Sequence, residues 1–253
     1  MAALGLEISS LSAEWDNIEH IRKTFLKMKE LGCRQLQLTG LAPSLEGWNI
    51  AAALRETGLR CVSYQEDLPF AYGKSPEKLV ERAMVLGCRY FVASLLPPEV
   101  NTPQKLRNYA EILSELAQFT MEKGLHFVYR PTRFDFRDMG GQPLYERLIG
   151  FLPDKVKLAL CVYATFGRAS YAEVLEHYGS RVDLAYFMDS LSLPDGAAKP
   201  VPLGEGDHNW QPILRACTKA GVKHIFAGQE SRDRDFVSCA RASMRYMSQL
   251  GLD

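Results

Sequence analysis

The sequence predicts a single (β/α)8 barrel, the TIM-barrel architecture, over residues 1–253. Short runs rich in β-branched and aromatic residues recur eight times along the chain. Amphipathic segments with helical spacing separate many of these runs, and a glycine often ends the segment just before the next run. The length, 253 residues, is typical of one such barrel. Because short helix-to-strand connections favour parallel pairing, eight such units are expected to close into a barrel.

The predicted elements follow one another in a regular order. Strands are predicted at residues 4–8, 33–39, 59–64, 88–93, 125–130, 156–161, 182–188 and 222–227. Helices are predicted at 18–31, before Gly58 and Gly87, at 105–123, at 144–151 and from Trp210, where Asp207 or Asn209 can act as the N-cap. The polar segment 190–202 is predicted as a loop that acts either as a lid or as a simple connection.

Composition excludes several classes of function. Thirty basic residues balance thirty acidic ones, so no overall field attracts nucleic acid or an anionic membrane. The sequence has neither a signal-peptide pattern nor an apolar run that could span a bilayer, so we expect a cytoplasmic protein without membrane contact. Six cysteines without a CxxC pair are typical of reduced thiols.

Polar side chains are predicted at the C-terminal mouth of the barrel, where enzymes of this architecture carry their active sites. Alternation along each strand decides which residues point inward. The inward set at the strand ends is predicted to be Glu7, Gln37, Gln65, Arg130, Cys161, Tyr186 and Gly228.

The order and spacing of these segments resemble the sugar phosphate isomerase/epimerase family of xylose-isomerase-like barrels. Residues 32–38, GCRQLQL, are similar to the family's GYKGVEL, and residues 58–65, GLRCVSYQ, resemble GLKVVSAH. Residues 127–136, FVYRPTRFDF, share the frame of LGYHNHDFEF. The other matches pair LCVY at 160–163 with LDVY, RVDLAYFMD at 181–189 with RIVLLHLKD, LGEG at 203–206 with VGEG, and IFAGQE at 225–230 with YIVEQD. The resemblance implies a barrel that acts on small carbohydrates.

The resemblance also implies a divalent metal ion such as manganese at the ends of the fifth to eighth strands. The positions that it assigns to metal ligands hold Arg130, Cys161, Tyr186 and Gly228 in this chain. The family's second-strand glutamate, third-strand histidine and seventh-strand lysine are replaced by Gln37, Gln65 and Met188. Since a guanidinium has no lone pair and carries a fixed positive charge, it repels a cation. We therefore expect no metal ligands and no cofactor.

Each candidate catalytic residue has a structural alternative. Arg130 either replaces the electrostatic role of the metal at a substrate oxygen, or forms a structural ion pair with Glu7 or Asp135. Tyr186 either donates a proton or hydrogen bond to a sugar, or packs in the core. Asp189 either orients a substrate hydroxyl, or accepts backbone hydrogen bonds from the following loop. The expected catalytic set is Arg130, Tyr186, Asp189, Asp135 and Glu7.

A second set of polar residues is expected to bind the substrate. Its members are Gln65, Gln37, Glu205, His208 and Gln229. His208 either reaches over the mouth as an acid or base, or is a surface residue of its turn. Arg133 is expected on a solvated loop face, and Cys161 is expected to be a small buried apolar residue.

Two functions from different classes remain open. The first is an isomerase, epimerase or lyase that acts on a small polyol, keto-sugar or sugar acid by removing a proton next to a carbonyl, without a divalent metal. The alternative is a non-catalytic relative that binds a carbohydrate or partners an active homologue. The expected partner is a small carbohydrate or sugar acid, and the chain either forms a homo-oligomer or pairs with that homologue. Nucleic acid and membranes are not expected partners.

Overall fold

The computed structural model describes residues 2–8, 17–42, 44–67, 75–165, 170–195, 197–228 and 234–252. It confirms the predicted fold, because eight parallel strands form a closed barrel. The barrel strands are β1 (Ala3–Ile8), β2 (Gln35–Thr39), β3 (Arg60–Asp67), β4 (Tyr90–Ser94), β5 (His126–Arg130), β6 (Lys157–Cys161), β7 (Val182–Phe187) and β10 (His224–Ala227). Each strand pairs with its neighbour in the chain order, and β10 closes the ring between β7 and β1.

Helices cover the outside of the barrel. The described helices are α1 (Ile18–Glu30), α2 (Gly47–Thr57), α3 (Pro76–Val85), α4 (Pro103–Glu122), α5 (Leu144–Phe151), α6 (Val162–Thr165), α7 (Tyr171–Tyr178), α8 (Trp210–Ala220) and α9 (Phe236–Gln249). Gly58 and Gly221 end α2 and α8 in the left-handed conformation, which a glycine adopts without a steric penalty. Within the described ranges, none of these helices combines the length and the hydropathy that a bilayer-spanning segment requires.

Three of the differences between the structure and the sequence prediction bear on the candidate site. The third strand continues to Asp67 instead of ending at residue 64. The segment predicted as an irregular loop, 190–202, contains an antiparallel hairpin of β8 (Asp189–Ser192) and β9 (Ala198–Val201). Asn209 occupies the N-cap position of α8, but the prediction that its side chain caps the helix is wrong, since it makes no cap hydrogen bond.

The barrel interior is filled by large buried side chains in its middle and by polar ones near its C-terminal mouth. Tyr186 and Phe226 stack at 5.7 Å on the adjacent strands β7 and β10. Glu7, Gln37 and Arg130 are buried above them, with at most 9% of any of these residues exposed. Because buried polar groups require hydrogen-bond partners, this arrangement concentrates a polar network at one end of the barrel.

Candidate active site

A cavity of about 300 Å³ opens at the C-terminal ends of the barrel strands. Its volume is at the lower end of the range of small-molecule sites. Polar and charged side chains from several strands and loops line it: Glu7, Thr39, Gln65, Asp67, Ser94, Arg130, Thr132 and Arg133. Cys161, Tyr163 and Met188 contribute the less polar part of its wall.

An ion pair crosses the floor of this cavity. Arg130 Nη1 lies 2.5 Å from Glu7 Oε1, and Arg130 Nη2 lies 3.5 Å from Glu7 Oε2. The pair joins β5 to β1, which lie on opposite sides of the eight-stranded ring. Burial opposes the charge on Arg130, but the nearby Glu7 carboxylate outweighs it and raises the pKa of the guanidinium above its usual value. Arg130 therefore stays cationic at any pH the fold tolerates.

A hydrogen-bonded network supports the ion pair. Arg130 Nη1 donates to Gln65 Oε1 at 2.9 Å, and Gln37 Nε2 donates to the same oxygen at 3.1 Å. Gln65 Nε2 in turn donates to Asp67 Oδ1 at 3.1 Å. Two of the three glutamines predicted to bind substrate, Gln37 and Gln65, thus belong to the network around Arg130, and of these two only Gln65 lines the cavity.

Tyr186 lies beneath the ion pair. Its ring is 3.9 Å from the Arg130 guanidinium carbon, the geometry of a cation–π contact. Its hydroxyl donates to Gln37 Oε1 at 2.7 Å, so it points along the polar network and is not part of the cavity wall. Burial raises the pKa of Tyr186 well above its usual value even though Arg130 opposes the shift, so the hydroxyl remains protonated. Both observations favour the core-aromatic alternative.

Asp135 lies away from the cavity. Its Oδ2 accepts hydrogen bonds from the Thr132 backbone at 2.6 Å, from Thr132 Oγ1 at 3.1 Å and from Tyr129 Oη at 3.1 Å. These contacts cap a short 3-10 helix, Arg133–Phe136. Burial outweighs these hydrogen bonds and raises the pKa of Asp135. Of the two partners that the sequence left open for Arg130, the structure therefore has Glu7 and not Asp135.

Asp189 organises the loop that follows β7. It accepts hydrogen bonds from the backbone of Ser190 at 2.9 Å, Gly204 at 2.9 Å and Gly206 at 3.2 Å. Trp210 Nε1 donates to the same carboxylate at 2.9 Å, and His208 Nδ1 lies 2.9 Å from it. An added Cβ at Gly206 would collide with the carboxylate, so a glycine is required there. The backbone-accepting alternative therefore accounts for Asp189.

Two of the other predicted substrate-binding residues, Glu205 and His208, lie apart from the cavity. His208 is buried against Asp189, 5.4 Å from the Trp210 ring, rather than extended over the mouth. Glu205 is on the surface, where both of its carboxylate oxygens accept from Arg234. Gln229 falls outside the described residues. The sequence could not exclude these residues from the cavity, because they belong to loops, where strand alternation gives no direction.

Several cavity residues were missed by the sequence prediction. Asp67 lies two residues after Gln65 on β3, so the two side chains point to the same face of the strand. Alternation would have predicted Asp67 in the cavity if the predicted strand had continued to residue 67. Ser94 pairs in register with Asp67 on one side and with Arg130 on the other. Arg133 is exposed, as expected of a solvated loop face, but it also lines the cavity.

The donor set does not fit a divalent metal ion. Among the residues that the structure describes, no three His, Cys, Asp or Glu side chains converge on one point. Glu7 faces the Arg130 guanidinium, and the Cys161 thiol lies 3.4 Å from the Met188 sulfur. An added Cβ at Gly228 would lie 2.9 Å from Glu7 Oε2 and would also collide with Met188. A cation, a thioether and a glycine do not make the hard, oxygen-rich environment that Mn²⁺ or Mg²⁺ requires.

The chain is similar in structure to several solved proteins. A sugar phosphate isomerase/epimerase from Parabacteroides distasonis has a TM-score of 0.81 and 19% identity, with 98% of each chain covered. The IolI protein with a binding zinc atom has a TM-score of 0.76 and 12% identity, covering 98% of this chain and 97% of that one. The E. coli 3-keto-D-glucoside 4-epimerase YcjR, in its apo form, has a TM-score of 0.71 and 13% identity, covering 98% and 100%.

These likenesses show the fold, because all three identities are low. No curated protein sequence matches the chain. The family model described as xylose isomerase-like TIM barrel matches residues 25–250, nearly the whole chain. The chain therefore belongs to the xylose isomerase-like TIM barrel family.

Proposed function

We propose that this protein catalyses isomerisation or epimerisation of a small keto-sugar or sugar acid without a divalent metal. The observation that carries the proposal is the Glu7–Arg130 ion pair on the floor of the cavity. The pair provides a carboxylate and a fixed cation in the part of the barrel where the resemblance to the sugar phosphate isomerase/epimerase family implies a metal. The sugar epimerase names of the structural neighbours support a carbohydrate substrate.

Glu7 is the base in this proposal. Glu7 and Asp67 are the carboxylates among the described residues of the cavity wall, whereas Asp135 and Asp189 are engaged elsewhere. When Glu7 removes a proton beside the substrate carbonyl, its carboxylate becomes neutral and the carbonyl oxygen becomes negative. The Arg130 guanidinium then pairs with that oxygen in place of Glu7. The number of charges in the mouth stays constant, which lowers the cost of forming the enolate.

The remaining cavity groups favour a hydroxylated and anionic substrate. Thr39, Ser94 and Thr132 carry hydroxyl groups that can donate to or accept from a polyol. Arg133 adds a second guanidinium at the edge of the cavity, suited to a carboxylate or phosphate. The volume of about 300 Å³ matches a monosaccharide-sized ligand better than an oligosaccharide.

A second candidate function is binding without catalysis. It is favoured by how fully the polar groups are already paired: Arg130 Nη1 contacts both Glu7 and Gln65, and the Tyr186 hydroxyl is bonded to Gln37. The Glu7 carboxylate already accepts from Arg130, so a substrate proton would have to compete with that contact. In this alternative the cavity holds a sugar acid through Arg133 and the outer edge of Arg130. The chain would then act as a sensor or as the partner of an active homologue.

One experiment separates the two candidates. The protein, treated with EDTA, is incubated in D2O with a panel of keto-sugars and sugar acids, and NMR follows deuterium entering beside the carbonyl. Calorimetry on the same panel measures binding. The catalytic proposal expects exchange that falls at least 100-fold in Glu7→Gln and Arg130→Met. The matched control, Arg107→Met on the outer helix α4, should keep full activity.

The outcomes are distinct. Binding without exchange supports the non-catalytic function. In that case Arg133→Gln, which changes an exposed residue of the cavity, should weaken binding about tenfold. Exchange that persists in Glu7→Gln contradicts the assigned base. Neither exchange nor binding across the panel contradicts both candidates.

A further inference from the structure

A second and larger cavity lies at the opposite, N-terminal end of the barrel. Its volume is about 460 Å³. It is bounded by the start of β3, the C-terminal halves of α2 and α3, and the segment that leads into β4. In barrels of this kind the catalytic groups belong to the other end, so this cavity is not accounted for by the function proposed above.

Three arginines line this N-terminal cavity. Arg55 belongs to α2, Arg60 begins β3, and Arg89 directly precedes β4. All three are exposed, and no aspartate or glutamate is among the described residues that line the cavity. In the described part of the chain, no carboxylate oxygen lies within ion-pair distance of any of the three. The chain as a whole has zero net charge, but these three guanidinium groups have no carboxylate partner among the described residues.

Asp183, a buried acid whose charge acts on the cavity residue His224, is engaged by other side chains. Asp183 accepts a hydrogen bond from the Tyr90 hydroxyl at 3.2 Å, and Lys157 Nζ lies 3.9 Å from its other oxygen. His224, which lines the cavity, makes a 2.9 Å hydrogen bond with Gln35 Oε1. Burial is the main cause that lowers the pKa of His224 to about 4, and the positive charges of Arg89 and Arg60 lower it further. The negative charge of Asp183 opposes this shift. The positive field of the arginines thus reaches into the cavity.

Apart from Gln35, the rest of the described wall is largely apolar. Ala51 and Leu54 of α2, Leu59 before β3, and Val85 and Leu86 at the end of α3 face the same space. Val85 remains 42% exposed, which leaves apolar surface open to a ligand. A ligand that fits both features carries a compact negative charge on one side and an apolar body on the other.

We propose that this N-terminal cavity binds a small organic phosphate, with its phosphate on Arg55, Arg60 and Arg89 and its apolar body against the leucine and valine wall. A phosphate is favoured over a single carboxylate because it carries up to two negative charges and three acceptor oxygens, which several guanidinium forks can bind at once. Such binding would place a phosphorylated effector at the end of the barrel opposite the sugar cavity.

Calorimetric titration with phenyl phosphate tests the proposal, with phenol and inorganic phosphate as matched probes. Phenyl phosphate should bind, phenol should show no binding, and inorganic phosphate should bind at least tenfold more weakly because it lacks the apolar body. Arg60→Gln and Arg89→Gln should each weaken phenyl phosphate binding about tenfold. All these side chains are exposed, so the variants should keep wild-type unfolding curves.

Two control variants make the result specific. Arg34 precedes β2 much as Arg89 precedes β4, and it is exposed without lining the cavity, so Arg34→Gln should change binding less than twofold. Arg133→Gln, at the sugar cavity, should also have no effect on the binding of phenyl phosphate.

Equal losses of binding in Arg34→Gln and Arg60→Gln would mean that phosphate is attracted diffusely to a basic face. A loss confined to Arg133→Gln would place the phosphate at the C-terminal mouth. Either result, or no binding of phenyl phosphate, overturns the proposal.

Discussion

Arg130 and Glu7 meet at 2.5 Å across the interior of the barrel, although they come from strands on opposite sides of the ring. The pair is buried, with 11% of the arginine side chain and 1% of the glutamate side chain exposed. A buried ion pair contributes little net stability when both partners are present, but removing one partner leaves an uncompensated charge. This asymmetry allows a direct test of the interaction.

Glu7→Gln and Arg130→Met should each lower the free energy of unfolding by about 3–5 kcal/mol, because each leaves the other charge buried alone. The double variant should lose about 2 kcal/mol less than the sum of the two single losses. Urea unfolding of the four proteins measures this. Additive losses would show that the two side chains do not interact in solution.

Asp189→Asn should loosen the segment from β8 to the start of α8. The substitution removes charge from a carboxylate bonded to three backbone amides and to Trp210, and we expect a loss of about 2–3 kcal/mol. Limited proteolysis should become faster within residues 190–209. Asp207→Asn is the matched control: Asp207 is in the same loop, and its carboxylate accepts one backbone bond, from Ser192. Equal proteolysis of the two variants would contradict the role assigned to Asp189.

The pH dependence of stability should have opposite signs for two buried aspartates. Burial opposes ionisation of Asp189, but bonds from His208, Trp210 and the backbone outweigh it and lower its pKa below 3.8. Its stabilising contribution is therefore complete above about pH 4 and is lost as the pH falls through the lowered value. Relative to wild type, Asp189→Asn should thus be most destabilised above pH 4 and less so near pH 3.

Asp135 should behave in the opposite way. Burial raises its pKa above 3.8, so its contribution is greatest at low pH and is lost as the pH rises through the raised value. Asp135→Asn should therefore gain stability relative to wild type between pH 4 and pH 7. Urea unfolding from pH 3 to pH 7 measures both variants together. Parallel curves for the two would contradict the assignment of these pKa directions.

Tyr186→Phe should alter stability more than ligand binding. The hydroxyl bonds to Gln37 within the network, and its loss should cost about 1–2 kcal/mol. Binding of any sugar acid found in the panel should change less than threefold, since the ring remains under Arg130. Tyr186→Leu removes the ring as well and should cost more. A tenfold loss of binding in Tyr186→Phe would instead indicate that the hydroxyl reaches the ligand.

Much of the fold followed from the sequence, and the site followed only in part. Helices that end at a glycine, such as the one before Gly58, predicted the order of strands and helices. Alternation along the strands predicted that Glu7, Gln65 and Arg130 point inward at the same end of the barrel, where the structure has them in contact. Alternation could not choose between Glu7 and Asp135 as the partner of Arg130, because that choice depends on the geometry of the loop after β5. The hairpin of β8 and β9 was missed because its strands have only four residues each.

We infer that a guanidinium, rather than a divalent metal, supplies the positive charge in the barrel mouth. Elemental analysis after incubation with excess Mn²⁺ and Zn²⁺ and removal of unbound metal tests it most directly. We expect well below 0.1 equivalent of either metal per chain, in wild type and in Glu7→Gln alike. One equivalent per chain in wild type, lost in Glu7→Gln, would contradict the account.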